Sequence, residues 1–220
     1  MSCSLKLTNI SYKINDEYLF ENINFHLKHK DKIAIIGPNG VGKTTLLKII
    51  SGLKKAESGE IEIFHEKIVT EKDFERARKK IGFLFQNPDD QLILPNVKDD
   101  IAFGLFNLGF VKNTIQQKVE NMINKLQINH LSNKITFKLS GGEKKLVALA
   151  GILVCEPDIL LLDEPSAGLD NKSMERIGEI IKELDKTVLI VSHNLEFVKQ
   201  ITSKIYHLTQ SGLHEVKNLK

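Results

Sequence analysis

The string Gly37-Pro38-Asn39-Gly40-Val41-Gly42-Lys43-Thr44 limits what this chain can fold into more than any other feature. Ahead of it lies a short continuous apolar run, Lys32-Ile33-Ala34-Ile35-Ile36. Behind it, Leu46, Leu47, Ile49 and Ile50 recur at helical spacing. A buried strand, a glycine-rich turn and a helix, in that order, predict a strand–loop–helix unit built around an anion. The glycines let the backbone curl so that successive N–H groups face one phosphate, and the helix adds its positive end. Lys43 is placed to reach β- and γ-phosphates, and the Thr44 hydroxyl to ligate Mg²⁺. The pattern speaks for a nucleoside triphosphate and is silent on what the energy is used for.

Two later segments extend this expectation. Ile159-Leu160-Leu161-Leu162 is wholly apolar and ends in Asp163-Glu164. Lys186-Thr187-Val188-Leu189-Ile190-Val191 ends in Ser192-His193. Neither alternates, which is the pattern of parallel strands buried on both faces. In such sheets chemistry gathers at the carboxyl ends of the strands. Carboxylates at a buried strand tip are costly unless a cation is near. Asp163 is therefore the natural Mg²⁺ partner, and Glu164 is free to polarise an attacking water. Taken alone, Asp163-Glu164-Pro165 would also read as a turn after a strand.

The remaining pattern fills in around these strands. Leu5, Leu7 and Ile10 predict an early strand, Ile23, Phe25 and Leu27 alternate with polar residues, and residues 61–64 alternate again. Residues 71–80 predict a charged surface helix leading into a buried strand at 81–85. From about 87 to 150 the pattern is mostly helical, which predicts an α/β core carrying a helical insertion. At 139–143, Leu139-Ser140-Gly141-Gly142-Glu143 opens an apolar helix with Ser140 as N-cap. Alone, that string reads as a capped helix after a loop. As a second anion-binding helix start in one chain, it is best resolved as completing the site of a second molecule.

Composition narrows the rest. At 220 residues the chain allows one domain or a core with a subdomain. Hydrophobic residues at 41% and charged residues at 27% exclude a collagen-like chain, a disordered acidic tail and a disulfide-stapled scaffold. A net charge of +3 is too small to argue for nucleic acid or a polybasic membrane anchor. Cys3 and Cys155 make no metal-spacing motif, so a reducing compartment is the default. No secretory leader is expected from the polar opening residues. The longest uncharged apolar stretch, residues 146–155, falls short of the ~20 residues a membrane helix needs.

Together these residues resemble the nucleotide-binding subunit of ATP-binding cassette (ABC) transporters, over nearly the whole chain. The phosphate loop is residues 37–44, the glutamine loop resembles Phe85-Gln86-Asn87, and the family signature resembles Leu139–Glu143. The acidic strand is residues 160–165, the following D-loop Ser166-Ala167-Gly168-Leu169-Asp170, and the switch histidine His193. A narrower match, Gly82-Phe83-Leu84-Phe85-Gln86-Asn87-Pro88-Asp89-Asp90-Gln91-Leu92 with residues 97–104 and 107–109, is similar to the energy-coupling-factor and cobalt/nickel importer branch. The resemblance implies a single ABC ATPase domain over 1–220. It implies a P-loop NTPase core with a mostly parallel sheet, an N-terminal antiparallel β subdomain and a helical subdomain at about 87–150.

It further implies ATP and Mg²⁺ held by Gly37, Pro38, Asn39, Gly40, Val41, Gly42, Lys43, Thr44, Thr45 and Gln86, with Thr44, Gln86 and Asp163 around the ion. Glu164, His193 and Lys43 would serve catalysis. Ser140, Gly141, Gly142, Glu143 and Asp170 would act across a head-to-tail pair with a second ABC ATPase subunit, identical or paralogous. A separate transmembrane subunit would carry a metal ion or vitamin inward, placing this chain peripherally on the cytoplasmic face of the cell membrane. No nucleic-acid partner is implied.

The sequence departs from the family pattern in three places. Ile14 stands where a base-stacking aromatic is expected, with Tyr12 two residues earlier. Leu146 stands where an arginine is common. The sequence ends at Lys220, where many relatives carry an extension. Six of the eleven phenylalanines lie between 74 and 110. Most are expected in the core of the helical insertion, and some in a groove near Gln86 for a short helix of the membrane subunit. Other cassette ATPases remain the alternative, but DNA-repair types insert a long coiled coil and translation types carry two cassettes. A kinase would not need residues 139–143.

Overall fold

The computed structural model describes residues 3–202 and 204–216. The side chain of Cys3, the first two residues of the opening segment and the chain end at Lys220 lie outside the described residues. Two sheets organise the chain. Strands β1 (Cys3–Ile14), β2 (Glu17–Lys28), β4 (Ser58–Ile63) and β5 (Glu66–Ile68) form an antiparallel sheet in the order β2-β1-β4-β5. The second sheet takes β3 (Lys32–Ile36), β6 (Ile81–Leu84), β7 (Ile159–Asp163), β8 (Thr187–Val191), β9 (Lys204–Thr209) and β10 (Gly212–Glu215). Its order is β10-β9-β3-β8-β7-β6, parallel throughout except for the β9–β10 hairpin at one edge. The fold is thus the α/β P-loop architecture expected, with the antiparallel sheet N-terminal.

The lack of alternation in the three apolar runs has a direct cause. Ile33, Ile35, Ile159, Leu161, Leu189 and Val191 face one apolar cluster, shared with the antiparallel sheet and helix α1 (Lys43–Ile50). Ala34, Leu160, Leu162, Val188 and Ile190 face another. The second cluster is covered by α3 (Val97–Asn107), α5 (Gly141–Leu153), α6 (Asn171–Glu183) and α7 (Leu195–Ile201). Both faces are dry, so each position must be apolar. Each buried Leu or Ile contributes about 1.5–3 kcal/mol relative to exposure. Leu146 takes its place in the second cluster as a packing residue.

The two sheets are tied at several points. Ser4 Oγ lies 3.2 Å from Thr187 Oγ1 at the start of β8. Phe25 of β2 meets Tyr206 of β9 edge-on at 5.4 Å. At the turn of the β9–β10 hairpin, Glu21 N–H donates to the Gln210 carbonyl (2.8 Å) and the Gln210 amide donates to the Tyr18 carbonyl (2.9 Å).

Between β6 and β7 the regular structure is helical: a 3-10 turn at Pro88–Asp90, then α3, α4 (Lys112–Lys125), two further 3-10 turns and α5. The phenylalanines here depart from expectation. None of the six between 74 and 110 is buried, and Phe103, Phe106 and Phe110 are exposed, Phe106 at 56%. Phe74 and Phe83 are half-buried against the cluster shared with the antiparallel sheet, not in the helical insertion; for Phe103 and Phe106 the reason lies in α3, which has two apolar stripes. Val97, Ile101 and Leu105 take the inner face, at i, i+4 and i+8, and leave Phe103 and Phe106 on the outer one. Among the described residues, no helix is long and apolar enough to cross a membrane.

Candidate functional site

The phosphate loop joins β3 to α1. Gly42, the N-cap of α1, has φ 102°, and a Cβ there would come within 2.8 Å of Leu19 and Phe20 side-chain carbons, so glycine is required on both counts. Helix α1 has no side-chain cap and no acidic residue in its first turn. Its first N–H groups are left to whatever enters the loop. Lys43 Nζ folds back to donate to the carbonyls of Gly37 (2.8 Å) and Pro38 (3.1 Å).

Strand β7 delivers the two carboxylates. Asp163 is buried, and Thr44 Oγ1 donates to its Oδ1 at 2.9 Å. Burial pushes the Asp163 carboxyl pKa up, while the Thr44 bond pulls the other way. A hard dication would reverse that penalty, and threonine hydroxyl plus carboxylate oxygen is a donor set that suits Mg²⁺. Glu164 follows with φ 45°, a left-handed conformation unusual outside glycine. Its N–H donates to the Val191 carbonyl at 2.9 Å, which bends the chain off the end of the sheet toward β8. One carboxylate oxygen, Oε2, accepts from Ser192 Oγ (3.0 Å) and His193 N–H (3.3 Å) and lies 3.0 Å from His193 Nδ1. Among the described residues, every hydrogen bond to this carboxylate falls on Oε2. The other oxygen remains for a ligand or a water.

Gln86 follows β6, with its side chain exposed. The loop behind it is fastened three ways. The Gln91 amide imitates a strand partner, accepting from Phe85 N–H (3.1 Å) and donating to the Phe83 carbonyl (3.3 Å). Lys144 pairs with Asp89 at 2.6 Å, and Lys145 Nζ donates to the Gln86 carbonyl at 2.6 Å. Burial lowers the Lys145 pKa to about 8, against the pull of Asp163 and Glu164.

These elements enclose a cleft of about 380 Å³ lined by Asn39, Gly40, Gly42, Lys43, Thr44, Thr45, Gln86, Glu164 and His193, with Ile14 and Leu19 on its apolar side. An adjoining cleft of about 500 Å³ is lined by Thr44, Gln86, Asp163, Lys145, Gly141 and Gly168, among others. Tyr12 lines neither. Its ring packs on Phe20, 6.2 Å between centroids, and its hydroxyl accepts from Lys54 Nζ (3.1 Å). Pro38 and Val41 belong to the loop without lining the smaller cleft.

The residues assigned to a second molecule do not line the smaller cleft, and of them Gly141 lines the adjoining one. Ser140 and Glu143 form a reciprocal capping box on α5. Glu143 N–H donates to Ser140 Oγ (3.3 Å), and Ser140 N–H donates to Glu143 Oε2 (2.8 Å). The other Glu143 oxygen pairs with Lys134 at 2.8 Å. Gly142 abuts the start of α6, where a Cβ would overlap the Ser173 hydroxyl. Asp170 caps α6 through Ser173 N–H (3.0 Å) and Ser173 Oγ (2.8 Å) and is exposed.

Sequence reasoning missed the roles of Ser192, Gln91 and Lys145. Lys145 had a partial signal: it opens an apolar helix, with Ala148, Leu149 and Ile152 on its own face, a property it shares with Lys144 beside it.

Comparison with known proteins agrees with this geometry. The family model described as ABC transporter matches residues 20–167. An ABC transporter ATP-binding protein of Brucella suis biovar 1 is 42% identical over 209 residues, 95% of this chain and 87% of that protein. The energy-coupling factor transporter ATP-binding protein EcfA of Methanoculleus marisnigri is 43% identical over 195 residues, 87% of this chain and 70% of that one. Among solved structures, CbiO1 of Clostridium perfringens, described as part of the ABC transporter complex CbiONQ, superposes with a TM-score of 0.86. It is 35% identical and covers 97% of this chain and 87% of its own. A dimeric ATP-binding cassette bound to ADP and Pi in a post-hydrolysis state superposes with a TM-score of 0.85. It is 28% identical and covers 98% and 100%.

Proposed function

The chain belongs to the ABC transporter family, whose cassettes couple ATP hydrolysis to transport, and from that premise we propose that it is the motor subunit of an energy-coupling-factor type importer. The observation that carries the reading is the convergence of Thr44, Gln86, Asp163, Glu164 and His193 at the carboxyl ends of β3, β6, β7 and β8, beside the open start of α1.

In this reading ATP lays its phosphates along residues 37–45, with the open N–H groups of α1 and Lys43 toward the β- and γ-phosphates. Thr44, Asp163 and the Gln86 side chain hold Mg²⁺, which when bound neutralises charge on the transferring phosphoryl group. Glu164, fixed through Oε2, orients the attacking water with its other oxygen. His193 contacts the γ-phosphate from the rim and reports its loss through Glu164. Catalysis is positioning and charge stabilisation. A second cassette, identical or paralogous, supplies Ser140–Glu143 to this ATP and receives the same from this chain, and Asp170 lies at the seam. The relatives are named as transporter subunits, and a neighbouring structure is a dimer.

The coupling surface is the groove of about 510 Å³ lined by Phe83, Leu108, Ile152 and Cys155 together with Glu75 and Arg78, among others, and Phe83 is the one phenylalanine that lines it. Its occupant is a short helix of the membrane subunit, which holds this chain peripherally on the cytoplasmic face. The cargo, a metal ion such as cobalt or nickel or else a vitamin, is suggested by the resemblance in residues 82–109. The decisive test is Glu164→Gln. ATP binding should persist while turnover falls ~10²–10³-fold, as for loss of one preorganised group. Wild-type turnover would overturn the assignment. Co-purification should yield membrane subunits, and recovery of ribosomes or DNA would overturn the transport reading.

A further inference from the structure

Lys145 is the buried charge for which this reading has no use. It is 1% exposed, and its Nζ donates to the carbonyls of Gln86 (2.6 Å) and Glu164 (3.1 Å). Among the described residues, no carboxylate lies within ion-pair distance of it, whereas Lys144 next to it pairs with Asp89 near the surface. Lysine is almost never fully buried unless paired, and desolvating an ammonium for two carbonyl dipoles is expensive. A methionine would fill most of the same space without that cost.

We infer that Lys145 is a positioning residue for ATP hydrolysis: its ammonium ties the main chains of Gln86 and Glu164 to one another and to the signature helix α5. The inference rests on the proposed roles of Gln86 and Glu164. Geometry gives it force. Glu164 stands in a left-handed conformation with its N–H held by Val191 and its carbonyl held by Lys145. Releasing the carbonyl lets the peptide rotate and carries the carboxylate away from its Ser192 and His193 partners. The same atom fixes the Gln86 carbonyl, so both residues facing the γ-phosphate take their register from one nitrogen on α5. That helix begins at Ser140, the edge offered to a second cassette. Displacing α5 therefore displaces Gln86 and Glu164 in the same chain, which links arrival of the partner to readiness for hydrolysis.

The test compares Lys145→Met, one atom shorter and without charge or donors, with Lys145→Gln, of the same reach as Met but with N–H donors at its tip. Both are made in the membrane assembly that hydrolyses ATP. Lys145→Met should lower kcat ~10–100-fold while KM for ATP changes far less, as expected when the larger loss falls on Glu164, which acts in the transition state, and the smaller on Gln86. Its melting temperature should hold or rise. Lys145→Gln should recover kcat to within about threefold of wild type. A kcat within twofold of wild type in Lys145→Met would overturn the inference. So would a KM rise that matches the loss of kcat, failure of Lys145→Met to fold, or a Gln variant as slow as the Met one. If Glu164→Gln instead turns over at the wild-type rate, the underlying assignment of Glu164 fails, whatever Lys145 does.

Discussion

Helices α1 and α5 both begin at glycine-rich turns, yet their starts are built in opposite ways. At α1 the N-cap is Gly42, no side chain caps the helix, and no acid sits in the first turn. At α5 the N-cap is Ser140, Glu143 closes the capping box, and Lys134 holds Glu143 in place. An uncapped start leaves N–H groups unsatisfied until an anion arrives. A boxed start satisfies its own. In the proposed reading helix α1 is thus a committed phosphate site, and α5 a conditional one that would exchange internal bonds for a ligand brought by another molecule. Helix α2 (Glu71–Arg78) warns against reading too much into a box. Thr70 and Asp73 form the same device there, far from any phosphate motif.

The contrast can be broken at α1 first. Lys43→Ala should weaken ATP binding by ~100-fold, about 2.7 kcal/mol, in a titration with a fluorescent nucleotide. An affinity within twofold of wild type would remove the distinction. At α5, Ser140→Ala should leave the affinity of a single chain within about twofold while lowering turnover of the paired cassettes ~10-fold. Equal losses in both assays would make α5 part of the same chain's site. Thr70→Ala is the control: it should cost about 1 kcal/mol in urea unfolding, as a lost cap does, with turnover unchanged. The smallest effect is pH-dependent. The Lys134 bond and the Ser140 N–H hold the Glu143 carboxyl below its ordinary value of 4.5. The ionised form therefore stabilises the fold above that pH, and the contribution is lost as pH falls through the lowered pKa. Glu143→Gln should make the acid limb of unfolding shallower. A limb as steep as wild type would show that the box carries no charge-dependent stability.

The sequence carried the sheet more clearly than the helices. Strands β3, β7 and β8 are buried on both faces, so their apolar runs admit no second reading, and the residues at their tips could be placed before any coordinates. Helix α3 carries apolar side chains on both faces, and only packing decides which stripe faces inward. Hence Phe103 and Phe106, expected in the core, stand outside it. Lys144 and Lys145 are adjacent and chemically identical, yet one pairs at the surface and the other is sealed beneath it. A count of charges treats them alike, and since α5 is buried on most of its circumference, only packing separates them. Gln91 stands in the Gly82–Leu92 match, but its bracing role was not legible there. Its amide serves main-chain atoms six and eight residues back, and no pattern of hydrophobicity records that.

The turn of the β9–β10 hairpin, stitched to Tyr18 and Glu21 of β2, has a consequence for which nucleotides can be used. It holds the aliphatic side of the cleft, Ile14 and Leu19, at a constant reach from the glycine loop. In the proposed reading such a rim covers the flat surface of a base by apolar contact, and Ile14 and Leu19 bring no hydrogen-bonding group that would tell one purine from another.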